Sequence, residues 1–127
     1  MDTTKHLDEL HKENTAWKQK LYFVRDEIKT YNNRLAEVVS SHRETETLAK
    51  AEHFQNQFIR HNEVIDHLVY DINAEEHKLV LIAKQNNVAS DFKAVKENLE
   101  LVNRMKMFNK IYDELKAEYL EYLYKVY

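Results

Sequence analysis

The chain has 127 residues, 43% hydrophobic and 32% charged, with a formal net charge of -3, which fits one domain of ordinary size. It contains no glycine, no proline and no cysteine. Missing glycine excludes the usual Walker and dinucleotide fingerprints, whose backbone must approach a phosphate closely, and removes the primed turns on which sheet proteins of this size depend. Missing cysteine excludes disulfide staples, thiolate catalysis and cysteine-ligated metal centres, and suits a reducing compartment.

Charge is evenly spread. Residues 1–39 and 90–127 each balance to zero, and the acidic excess falls in residues 40–89. No basic stripe marks a nucleic-acid partner. The N-terminus, Met1 to His6, lacks the apolar core of a signal peptide, and the densest apolar run, Leu79 to Ala83, is too short to cross a bilayer. The expectation is a soluble, cytoplasmic protein without a membrane partner.

From Leu7 the first segment places Leu10, Asn14, Trp17, Leu21, Val24, Ile28, Tyr31, Leu35 and Val38 at alternating spacings of three and four. Such spacing aligns these side chains along one seam, so the pattern predicts a single long helix over about 3–39 that packs on another helix. The pattern halts at Val39-Ser40-Ser41, and Ser41-His42-Arg43-Glu44 matches a capping box for a second helix over about 42–86. That helix carries Leu48, Ala51, Phe54, Phe58, Ile65, Leu68, Ile72, Leu79 and Ile82, and Asn86 or Asn87 is placed to take the left-handed cap position glycine normally fills. Ser90-Asp91 is read as the cap of a third helix over about 90–126. Its stripe runs through Phe92, Val95, Leu99 and Val102, then slides by one residue to Leu101, Met105, Phe108, Tyr112, Leu115, Tyr119 and Tyr122.

Short connections make sequence neighbours antiparallel neighbours. The predicted fold is therefore all-α: an elongated up-down-up antiparallel three-helix bundle with long coiled-coil-like helices, forming a single domain over 1–127. A four-helix alternative needs a break in the second helix near Asn73-Ala74, where no proline, glycine or cap signal occurs. In architecture and length the pattern resembles a spectrin-type three-helix repeat, with a tryptophan in the first helix. No diagnostic motif extends the resemblance, and no function follows from it.

Antiparallel pairing brings Asn14, Glu75, Glu76 and Asn98 to about one level near the N-terminal end of the bundle, with His11 beside them, while Glu97 and Glu100 are expected to project outward. Two readings are open. As an interior polar layer these residues fix helix register, as a buried asparagine does in coiled coils, and Glu76→Leu should then leave stability unchanged or raised. As a metal site, His11, Glu75 and Glu76 would supply the oxygens and imidazole nitrogen of a di-metal carboxylate bundle, although no Glu-x-x-His pair occurs. The first reading is preferred, and no cofactor is expected. His61, between Phe58 and Ile65, reads as a hydrogen-bonded interior histidine. The tyrosines of the last helix are expected to meet Tyr31, Phe54 and Phe58 at the opposite end.

The three serines fall at predicted caps and no nucleophile has a base beside it, so the chain reads as non-enzymatic. Tyr22, Phe23, Tyr70 and Met107 fall off the packing stripes and form the expected interaction surface. The expected partner is a protein or a second copy of the chain, with Phe23 near the centre of a homodimer contact and Tyr70 or Met107 toward its edge.

Overall fold

The computed structural model describes residues 3–85 and 88–127, and side-chain surroundings over 7–84 and 93–127. Three helices, α1 (Thr3–Ser41), α2 (Thr45–Gln85) and α3 (Val88–Val126), account for the described chain apart from short connections, and no strand occurs among the described residues. Helix α2 passes through Asn73 and Ala74 without a break, so the bundle has three helices. Among the described residues no helix is long and apolar enough to cross a membrane.

One spacing organises all three helices. In α1 the interior positions are Leu7, Leu10, Asn14, Leu21, Val24, Ile28, Leu35 and Val38, with Trp17 and Tyr31 half-buried in the same series. In α2 they are Ala51, Phe54, Phe58, His61, Ile65, Leu68, Ile72, Glu75, Leu79 and Ile82, an unbroken alternation of three and four. Such a stripe stays on one side of a slightly underwound helix, which lets straight neighbours pack along their whole length. Helix α3 follows the same rule from Ala94 through Leu101, Met105, Phe108, Tyr112, Leu115, Tyr119 and Tyr122. The expected slide at Leu101-Val102 is absent. Val95 and Val102 are only half-buried and Leu99 is exposed, because the small Ala94 holds the true seam position one residue earlier.

The helix ends also differ from expectation. Ser41 does not open α2: it closes α1, its hydroxyl donating to the Glu37 carbonyl at 2.8 Å, while the His42 amide bonds the Val38 carbonyl at 3.0 Å. Free carbonyls at the end of α1 lie within one turn of the serine and capture its hydroxyl before the next helix begins. Glu44 takes the N-cap position instead, its carbonyl accepting the Leu48 amide and its carboxylate accepting the Thr47 hydroxyl at 3.2 Å. Helix α3 starts at Val88, so Ser90 and Asp91 fall inside its first turn instead of preceding it. The asparagine cap expected at Asn86 and Asn87 lies outside the described residues.

The core is divided. The larger cluster runs from Leu21 to the α1–α2 turn and ends in an aromatic group. Tyr119 lies 4.5 Å from the Tyr31 ring and 5.4 Å from Phe58, measured between centroids, and its hydroxyl donates to the Tyr31 carbonyl at 3.2 Å. Tyr122 closes this end by donating to the Thr47 carbonyl at 2.7 Å. A smaller cluster of Leu7, Leu10, Leu79, Ile82 and Ala94 occupies the other end. Phe58→Ala is expected to lower unfolding stability by about 3–5 kcal/mol in urea denaturation, since a fully buried ring between two tyrosines would leave a cavity. Phe23→Ala, on the surface, should change it by less than about 0.5 kcal/mol.

Candidate functional site

The polar positions of the seams meet between the two clusters, but not as a single group. Asn14 is fully buried on α1 and donates its amide to Glu76 Oε1 at 2.9 Å, while His11 Nδ1 lies 2.6 Å from Glu76 Oε2. The carboxylate of α2 is thus held by two side chains one turn apart on α1. Asn98 reaches instead to Glu13 of α1, donating at 3.0 Å.

Glu75 faces the other way. It is 5% exposed, and burial, reinforced by a hydrogen bond and the charge of Glu97, pushes its carboxyl up to about 8. Glu97 moves in the opposite direction. The hydrogen bond from Glu75 and that from Lys78 hold it below the usual carboxylate range, and Lys78 Nζ lies 3.2 Å from its Oε1. At neutral pH the two carboxyls share one proton, carried by Glu75, in the way that adjacent like charges avoid ionising together. The expectation that Glu97 projects outward is therefore corrected: it is half-buried against α2. A signal was present, since the true seam runs from Ala94 through Asn98 to Leu101, and Glu97 stands directly beside it.

This arrangement separates the proposed metal ligands. His11 and Glu76 meet, Glu75 turns to Glu97, and among the described residues no three acidic or histidine side chains converge as a metal site. The polar layer instead ties α1 to α2, α2 to α3 and α1 to α3 by distinct bonds. His61 behaves as a structural residue, its Nδ1 bonded to the Gln57 carbonyl at 2.9 Å and its ring 6.0 Å from Phe108.

A second network escaped the sequence reading. Glu27 on α1 accepts the Tyr112 hydroxyl at 2.6 Å and Lys116 Nζ at 3.1 Å, both from α3. Burial alone would raise the Glu27 carboxyl, but these two donors hold it below its usual range. The Tyr112 phenol is pushed upward by burial and by that carboxylate, so it stays a donor. Tyr112 looks purely apolar in the seam pattern, and only the opposing glutamate reveals its second role.

Tyr22, Phe23, Tyr70 and Met107 are 44%, 57%, 74% and 58% exposed. Consecutive helical residues diverge by about 100°, so Tyr22 and Phe23 both point away from the seam, Tyr22 toward the α2 side. Tyr22 lies under the Arg25 guanidinium, whose helix face reaches Asp66 of α2, whereas Phe23 lies under Lys20. Tyr70 is bracketed by Asp66 and Asn73, two of the residues of α2 that reach α1. Met107 alone lies on the far side, in an apolar groove of about 300 Å³ between α2 and α3. Val64, Leu68, Phe108 and Ile111 complete its walls, with Arg104 at the rim bonded to Asp71 at 2.7 Å. A larger, more polar cleft of about 600 Å³ lies beyond it toward the α1–α2 turn, between Lys50 and His53 on α2 and Glu118 and Glu121 on α3.

No family model, curated protein or solved structure matches the chain, so the spectrin-type resemblance stays one of length and helix order.

Two outcomes test this geometry. Because the native Glu75 carboxyl is raised above its unfolded value, its contribution to stability is complete below about pH 4.5 and is lost as pH rises toward 8. Thermal melts should show a stability decline across that window that is smaller in Glu75→Gln, whose neutral amide still donates to Glu97. Glu76→Leu, expected from sequence to be neutral or stabilising, should instead cost about 1–3 kcal/mol by urea denaturation. It strips the buried Asn14 amide of its acceptor, and Asn14 Oδ1 already has no hydrogen-bond partner.

Proposed function

We propose that this chain is a protein-interaction module: a helical rod, built like a short coiled-coil bundle, that offers the α2/α3 groove to a polypeptide. The single observation that carries this reading is the groove itself. Val64, Met107 and Ile111 stand at its surface, about half exposed, above the buried Leu68 and Phe108. Exposed apolar side chains that adjoin one another over a concavity are what an incoming helix or strand buries, and flexible methionine adapts to such a partner.

The interior polar groups support binding rather than chemistry. Asn14, Glu76, Glu75, Glu97 and Glu27 are all engaged in bonds that join one helix to another, with roles accounted for by register and packing. The cysteine-free composition suits a cytoplasmic setting. The interaction surface anticipated around Tyr22 and Phe23 is a weaker candidate, because each ring is already covered in part by a cation of its own helix.

A photo-crosslinking residue introduced at Met107 tests the reading in cells that express the protein. Discrete polypeptide adducts are expected from position 107 and not from the exposed Lys29 on α1. Adducts at neither position, or only at position 29, would refute a groove-binding role.

A further inference from the structure

The charges along the two lips of the groove say what fills it. Heights on α2 and α3 are set by Asp71–Arg104 at 2.7 Å, Lys78–Glu97 at 3.2 Å and the His61–Tyr112 rings at 5.9 Å. On this scale Arg60 of α2 stands level with Glu114 of α3, and His53 stands level with Glu121. Arg60 belongs to the lip, since it precedes Asp71 by eleven residues and Lys78 by eighteen, both near-integral numbers of turns. Glu114 likewise follows Met107 by two turns and Ile111 by one.

From the groove toward the α1–α2 turn, the α2 lip therefore carries Arg60, His53 and Lys50, the last paired with Glu46 of its own helix at 3.3 Å. The α3 lip carries Glu114, Glu118 and Glu121, the last paired with Lys125 of its own helix at 3.2 Å. At the other end the signs reverse at Asp71 and Arg104 and return at Lys78 and Glu97. There the opposite charges close onto each other within the chain, but across the groove they do not: among the described residues Arg60, Glu114 and Glu118 form no ion pair.

We infer that the α2/α3 face pairs with a second copy of this chain about a two-fold axis parallel to the helices, with Met107 and Ile111 at the centre and Arg60 facing Glu114 of the second copy. Such an axis keeps every residue at its own height while laying α2 of each copy over α3 of the other. Each basic lip then meets an acidic one, and the reversed pairs at Asp71 and Arg104 remain complementary. An axis perpendicular to the helices would move Arg60 to another height and lose the match. The two apolar walls meet at the centre, where desolvation favours association most. Helices of 39 and 41 residues, about 60 Å long and together about 20 Å wide, offer ample surface for the roughly 800 Å² per partner of a stable interface. This pairing rests on the groove-binding reading above and names its occupant.

Sedimentation equilibrium of the full chain up to about 200 µM tests it, with each variant's helicity and melting followed at low concentration. The wild type is expected to dimerise, Met107→Glu to weaken association at least tenfold with unchanged helicity, and Phe23→Glu to leave it unaltered. Arg60→Glu and Glu114→Arg should each associate more weakly than wild type. An equimolar mixture of the two should recover association, because both lip contacts of the mixed dimer are again opposite in sign. A monomeric wild type, a dimer lost in Phe23→Glu but kept in Met107→Glu, or a mixture no stronger than its components would overturn the inference. A monomeric wild type whose position 107 still cross-links to a different polypeptide would overturn self-pairing while leaving the groove as a docking site. Failure of all cross-linking would remove both.

Discussion

A side chain recurs at the bundle axis every three and then four residues on each of the three helices, and this spacing constrains everything else in the molecule. Without glycine or proline the chain has few means of turning sharply, so it forms helices about 40 residues long that bury one stripe each. Apolar residues at these positions associate because they leave water, and Leu21, Val24, Ile28, Phe58, Ile65 and Tyr119 do so completely. Polar residues at the same positions are carried inward whether or not the interior suits them.

Asn14, His61 and Glu75 are the buried polar members of the seams among the described residues, and each resolves its position differently. His61 turns to the backbone carbonyl one turn behind it, a purely local solution. Asn14 recruits a glutamate from α2, and Glu75 keeps its proton and shares it with Glu97. These last two solutions are specific to one alignment of the helices. A shift of one heptad would leave the apolar seam equally filled but would separate Asn14 from Glu76 and Glu75 from Glu97. Glu27 adds the same discrimination between α1 and α3, since only one alignment brings Tyr112 and Lys116 to its two oxygens. An apolar stripe supplies cohesion without direction, and the polar members choose among its possible alignments.

The helices and their order were legible because the seams of α1 and α2 are written in large apolar residues. Legibility failed where the carrier was small or dual in character. Ala94 marks the seam of α3 too faintly to compete with Val95 and Leu99, and that one-residue error alone put Glu97 on the outside. The caps misled for a related reason: Ser41 satisfies carbonyls behind it as readily as amides ahead, and the sequence does not say which are nearer. Of the candidate surface, exposure could be read from each helix alone. Adjacency could not, because it depends on how each helix is rotated toward its neighbours, and that rotation sets Met107 in the α2/α3 groove and Tyr22 and Tyr70 on the α1/α2 side.

The division of the core into a large and a small cluster makes the bundle a graded object along its length. Among the described residues, Leu7, Leu10, Leu79, Ile82 and Ala94 form a smaller cluster beyond the polar layer than the eighteen residues on the other side. Of the contacts among the described residues, opening that end breaks fewer than separating the aromatic group near the α1–α2 turn, and the less densely packed end is expected to open first. Amide protons should therefore exchange in two tiers, with the boundary where Trp17, half-buried at the margin of the large cluster, follows Asn14 by one turn. The single tryptophan thus stands where a loosening of the weaker tier would first change its surroundings, and its emission could follow that motion without any introduced label.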